Sequence, residues 1–151
     1  MLSTTAEYAL RAMFALAQEG PDKATLGRDL AIRSGVPANY LSKILLELKK
    51  AGLVQAVRGT GGGYRLGRDA ARIRLMDVVE EIDRDAARPG CFLAGSNSCS
   101  DLEPCPAHDR WAAVKDTYVS FLETTTIADV SVHANPTRFK PTIRLRGTSD
   151  E

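Results

Sequence analysis

The sequence predicts a mainly α-helical fold with a small β-hairpin wing, a winged helix-turn-helix followed by a long helix, and three observations carry this expectation. Apolar residues recur at helical spacing through residues 3–50. A β-branched stretch, a glycine run and a return strand then fill residues 53–66. A further helical stripe runs from Trp111 to Leu122.

The first helix is expected over residues 3–18. Ser3 or Thr4 can cap it, Glu7 sits in its first turns, and Leu10, Met13, Phe14 and Ala17 share a face. Gly20-Pro21 ends it. Thr25 is a candidate cap for a short second helix with Leu26, Leu30 and Ile32 as its apolar positions, and Ser34-Gly35-Val36-Pro37 reads as a tight turn. A third helix runs from Pro37 to about Lys50, with Tyr40, Leu41, Ile44, Leu45 and Leu48 inward and Gly52 at its stop. Asn39, Ser42, Lys43, Lys49 and Lys50 lie on its outer face. Two short helices around a Gly-containing turn form the helix-turn-helix pattern, which an ordinary three-helix bundle also fits.

The next segment distinguishes the two. Leu53 to Val57 alternates as a strand, Arg58 to Gly63 forms a turn, and Tyr64-Arg65-Leu66 returns, so a hairpin follows the third helix directly. The glycines do not make a nucleotide loop: they run into Tyr64 rather than Gly-Lys-Ser/Thr, and a dinucleotide fingerprint would need glycine where Tyr64 stands. Arg58 and Arg65 are read instead as ligands for phosphate or the minor groove of DNA, flanking a turn that Gly61 keeps compact. With Asn39, Tyr40, Ser42 and Lys43 at the leading end of the third helix, they form the candidate DNA-binding set.

Residues 69–75 connect to an acidic helix over Met76–Asp83, and Pro106 is placed at the first position of a long helix ending near Glu123. Its stripe of Trp111, Val114, Tyr118, Phe121 and Leu122 needs a partner, either the same helix of a second subunit in a homodimer or the chain's own first helix. A last short helix is expected after a Thr126 cap. The division is therefore 1–75 as a winged helix, 76–133 as a loop and dimerisation helix, and 134–151 as a disordered tail.

Charge follows the same division. Residues 1–75 hold 12 Lys/Arg against 6 Asp/Glu, whereas residues 76–133 hold 4 against 11. A basic front half suits a polyanion and an acidic middle avoids one. At 151 residues, 44% hydrophobic and 26% charged, the chain suits one compact domain or a small domain with a dimerising arm. No apolar run reaches spanning length and the start lacks a basic secretion signal, so a cytoplasmic location is expected.

Between the acidic helix and the long helix, residues 91–108 contain Cys91, Cys99 and Cys105, separated by seven and five residues, together with His108. An odd number of cysteines makes a poor disulfide framework, and in a reducing compartment such a group more often binds metal. Spacing alone leaves zinc and iron-sulfur open, although structural zinc sites usually use closer pairs. An electron carrier typically has four cysteines, and no Ser/His/Asp constellation or acidic metal motif supports an enzyme. His133 carries no assigned role.

In this order, Tyr8-Ala9-Leu10-Arg11, Ala51-Gly52-Leu53-Val54, Val57 to Tyr64 across the hairpin and the three cysteines resemble the Rrf-type winged-helix iron-sulfur transcriptional regulators of bacteria, over residues 1–133. The resemblance implies a homodimer on a partly palindromic operator, usually a repressor, with Cys91, Cys99 and Cys105 holding an iron-sulfur cluster that senses iron, nitric oxide or redox state. The fourth ligand differs among family members. His108 matches a histidine that completes a two-iron cluster in regulators of cluster biogenesis. Glu7 matches an acidic residue that reaches across the dimer to a four-iron cluster in nitric oxide sensors. The seven-residue gap agrees with members carrying four irons, which favours the four-iron form. Ser42 departs from the glutamate of the biogenesis regulators, so operator identity does not carry over.

Overall fold

The computed structural model describes residues 2–93 and 99–131. His133, the expected disordered tail over 134–151 and the middle of the cysteine loop lie outside them. Three helices open the chain, α1 (Thr4–Glu19), α2 (Gly27–Ser34) and α3 (Ala38–Lys50). A hairpin of β1 (Val54–Val57) and β2 (Gly63–Leu66) follows, then a 3-10 turn at Ala70–Arg72. Four more helices complete the order: α4 (Leu75–Ile82), α5 (Arg84–Ala87), α6 (His108–Thr124) and α7 (Ile127–Ser131).

The Ser3 hydroxyl accepts the Ala6 N–H and caps α1, as its residue type predicts. This helix is buried on more than the single face read from Leu10 and Met13. Ala6, Ala9, Ala12 and Ala15 are buried beside Leu16, because their small side chains let neighbouring elements approach closely. Around α1 pack α2, α3, α4 and α7. The buried cluster runs without a break from these residues through Leu41, Leu45 and Leu48 to Met76, Val78, Val79, Leu122 and Ile127.

Local expectations are corrected at Thr25, Ile32, Tyr40 and Pro106. Thr25 does not cap α2; Leu26 occupies that position without a side-chain cap, and Thr25 pairs instead with β2, exchanging 2.8 Å backbone hydrogen bonds with Tyr64 in both directions. The wing thus gains a third strand position. Its backbone approaches Gly63 so closely that a Cβ there would lie 2.3 Å from the Thr25 carbonyl oxygen, at a φ of 138°. Ile32 is 78% exposed and Tyr40 53% exposed, both contrary to an inward reading. Leu30 and Val36 fill the α2 side of the core, while Tyr40 sits edge-on to Tyr8 with ring centroids 6.1 Å apart.

Pro106 is likewise not the first residue of α6. It lies inside a turn closed by the His108 N–H on the Cys105 carbonyl at 2.9 Å, and the helix begins at His108. The short α5, with Asp83 as its side-chain cap, carried no periodicity that would have announced it. As the hairpin reading expected, β1 and β2 pair antiparallel, with Gln55 opposite Arg65; Val57 lies opposite Gly63, so that glycine belongs to the strand rather than to the turn.

The chain closes on itself after α6. The Leu75 N–H donates to the Thr125 carbonyl at 2.9 Å and the Ile127 N–H donates to the Ile73 carbonyl at 2.8 Å. Residues 74 and 126 are thereby bridged side by side. At α7, Thr126 and Asp129 cap the helix reciprocally, as the Thr126 reading anticipated. No helix among the described residues is long and apolar enough to cross a membrane.

Candidate functional site

The cysteine segment is held from both ends. Upstream, α5 is tied to α6 by the Tyr118 hydroxyl, which donates to the Ala86 carbonyl at 2.7 Å. Burial and the nearby Asp83 charge raise the Tyr118 pKa, so the phenol keeps its proton for this bond. Arg88 spans Glu80 and Glu123 at 3.7 and 3.1 Å, surface pairs that orient more than they stabilise. Trp111 of α6 donates its indole N–H to the Gly90 carbonyl at 2.6 Å, directly before Cys91.

The three sulfurs of Cys91, Cys99 and Cys105 lie within 4.8 Å of one another. Cys91 and Cys105 are 3.3 Å apart, and the Cys105 N–H donates to the Cys99 sulfur at 3.4 Å. The contact with Cys91, followed by burial, pushes the Cys105 thiol above its ordinary pKa. A bound metal must displace that proton, so uptake should release acid. All three side chains are partly exposed.

His108 touches one member of this group through one edge of its ring, with Nδ1 3.2 Å from the Cys99 sulfur. On the opposite edge Nε2 faces an Asp101 carboxylate oxygen at 3.1 Å. Within one chain Glu7 does not join the thiol group; it is half-exposed and paired with Arg11 on the next turn of α1. Sequence reasoning missed Asp101 and Trp111. Nothing in the spacing marks either, because one acts from a turn and the other through a backbone carbonyl.

Three thiols and an imidazole suit a thiophilic metal. Tetrahedral zinc with bonds of about 2.3 Å sets sulfurs about 3.8 Å apart, within the range found here. An iron-sulfur cluster would be held by the same thiolates, with the imidazole as a ligand of a different type. The donor types fit both groups.

The other candidate residues lie on the wing and α3. Asn39, Tyr40, Ser42 and Lys43 are all exposed along the leading half of α3, and Arg58 and Gly61 are exposed on the wing. Neither Lys43 nor Arg58 has an ion-pair partner among the described residues, so both cations are available to phosphate. The Ser42 hydroxyl donates to the Ala38 carbonyl at 3.0 Å, leaving its lone pairs outward. Arg65 is more committed: it is half-buried and its Nε donates across the strands to Gln55 at 3.1 Å.

Known proteins resemble the chain in sequence and fold. The profile of the Rrf2 family, described as an iron-dependent transcriptional regulator, matches residues 2–133. Over 124 residues the chain is 36% identical to the HTH-type transcriptional regulator IscR of Xenorhabdus nematophila, covering 80% of this chain and 73% of that protein. Among solved structures, T. potens IscR superposes with a TM-score of 0.69 at 30% identity, covering 91% of this chain and 90% of that one. The global cysteine regulator CymR of B. subtilis gives a TM-score of 0.74 over 89% of this chain and 98% of that one; at 24% identity this likeness concerns the fold.

Proposed function

The chain belongs to the Rrf2 family of transcriptional regulators, and from that premise we propose that its binding to operator DNA is controlled by an iron-sulfur cluster held by Cys91, Cys99 and Cys105. It is a DNA-binding regulator of the IscR type and not an enzyme. The observation that carries the cluster reading is the convergence of the three thiols within 4.8 Å, from positions spread over 15 residues. His108 is proposed as the fourth ligand from the same chain, supported by its 3.2 Å approach to Cys99. Glu7 of a second subunit is the competing ligand, and it accompanies the four-iron form that the cysteine spacing favours.

Residues 1–75 act as the reader and 76–133 as the sensor and dimerisation segment. Asn39, Tyr40, Ser42 and Lys43 enter the major groove, while Arg58, Gly61 and Arg65 meet backbone or minor groove. A homodimer is supported by α6, where Val114 is 48% and Phe121 51% exposed although they share the face of the long helix that carries buried Leu122. The cluster supplies an iron with one ligand weaker than thiolate, open to attack by oxygen or nitric oxide and to iron scarcity. Residues of this chain then convert its loss into altered spacing of two winged helices, usually relieving repression in the cytoplasm. A second reading, Cys3His zinc, is supported by the short sulfur separations.

Anaerobic native mass spectrometry tests the assignment by counting iron, sulfide and subunits together. Wild type should appear as a cluster-loaded dimer, each Cys→Ser variant should lose the cluster, and only one of Glu7→Ala and His108→Ala should destabilise it. Operator sequences selected from random DNA should bind the cluster-loaded and metal-free forms with affinities at least about tenfold apart, a coupling of the usual allosteric size. Equal affinities would remove cluster control, and bound zinc without sulfide would establish the second reading.

A further inference from the structure

Asp101 stands on the far side of the His108 ring from the thiols. Its carboxylate can only accept hydrogen bonds, so Nε2 at 3.1 Å must carry the proton and donate it. A neutral imidazole then has its lone pair on Nδ1, the atom 3.2 Å from the Cys99 sulfur. The turn presenting Asp101 is itself fastened. The Ser100 N–H donates to the Glu103 carbonyl at 3.2 Å, and the Glu103 N–H donates back to the Ser100 hydroxyl at 3.1 Å. Cys105 continues the chain of contacts, its N–H on the Cys99 sulfur and its carbonyl accepting from the His108 N–H. Second thiol, third thiol and ring are thus joined in one short segment, with Asp101 at its outer edge.

We infer that Asp101 is a positioning residue that sets the tautomer of His108, so that Nδ1 rather than Nε2 is the nitrogen offered to a metal on the three thiols. This rests on the reading of His108 as the fourth ligand and extends it to a residue with no metal contact of its own. Partners behind a metal-bound histidine commonly govern affinity by about 10- to 100-fold. The Asp101 side chain is 99% exposed, and solvent screening places its effect at the lower end of that range.

The test uses the reduced, metal-free full chain with cobalt(II) as the probe, because its visible absorption distinguishes three sulfurs plus nitrogen from three sulfurs plus water. Asp101→Ala should weaken cobalt binding about tenfold, and Asp101→Glu should restore most of it. In a His108→Ala background, Asp101→Ala should cause no further loss. In the zinc-loaded protein, 15N-labelled histidine should show Nδ1 bound to metal and Nε2 protonated. Undiminished affinity in Asp101→Ala, an equal loss with and without His108, metal on Nε2, or a wild-type spectrum lacking nitrogen would each overturn the inference. Cobalt behaviour as expected, combined with failure to retain iron and sulfide on anaerobic reconstitution, would sink the cluster proposal and leave the role of Asp101 standing.

Discussion

Trp111 and Gly90, 21 residues apart, are joined by a 2.6 Å hydrogen bond from the indole N–H to the backbone carbonyl. The bond fixes the residue before the first thiol to the opening of α6. Beyond that thiol, the Phe92 ring packs against the same indole with centroids 5.4 Å apart. Cys91 is therefore bracketed by two contacts to a single side chain.

Trp111→Phe keeps an aromatic surface for Phe92 and removes the N–H. The loss should be about 1 kcal/mol, the net value of one hydrogen bond whose carbonyl can turn to water. Metal should leave several-fold faster under chelator challenge, and faster again in Trp111→Ala. An unchanged rate in both variants would show that α6 does not restrain the loop through this contact.

The 3.3 Å approach of Cys91 and Cys105 predicts a specific oxidation product in the metal-free protein. One thiolate attacks hydrogen peroxide to give a sulfenic acid and water; the other displaces its oxygen as a second water, forming the disulfide. Peptide mapping should find Cys91 joined to Cys105 and Cys99 free. A mixture of all three pairings would mean that the loop samples the thiols without preference.

Acid should unfold the chain through its helix caps. Burial raises the Asp77 pKa, but the hydrogen bonds and charge of Arg74 outweigh it and the net shift is downward. The Ser3 hydroxyl and the Ala86 N–H lower that of Asp83, and Thr126 lowers that of Asp129. Groups with folded pKa values below their unfolded values of about 3.9 contribute stability above that pH and lose it as pH falls through the folded values. The urea midpoint should hold from neutrality to about pH 4 and then decline. Asp83→Asn, which retains an acceptor for the cap, should flatten the decline; an unchanged slope would remove Asp83 from the set.

Gly63→Ala should damage the wing while sparing the metal centre. The added Cβ meets the Thr25 carbonyl oxygen at 2.3 Å in a backbone conformation that side chains rarely adopt. A cost of about 1 to 3 kcal/mol is expected from the strained backbone. Operator affinity should fall with cobalt binding unchanged; loss of both would mean that wing and thiols are not independent.

Helix α3 and the hairpin are legible in the sequence because their information is local. The α3 stripe of Leu41, Ile44, Leu45 and Leu48 is buried as its spacing demands, and the glycine run forces the turn. Thr25 was misread because a strand position one residue long has no period, and its partner Tyr64 lies 39 positions away in the sequence. Ile32 and Tyr40 were misread because apolar character alone does not say which face tertiary packing will cover. At the candidate site, the thiols and His108 were visible as residue types. The role of Asp101 was not, since it depends on which edge of a ring faces which neighbour.

The bridge between residues 74 and 126 gives the protein a modular economy. The bridge brings the start of α4 and the end of α6 side by side, so the segment that carries the thiols begins and ends at one place, while α4 and Leu122 stay packed in the common core. The wing and α3 sit wholly upstream of that place. A change of length between Cys91 and Cys105 can therefore be taken up without moving the two ends of the segment, which the bridge holds together.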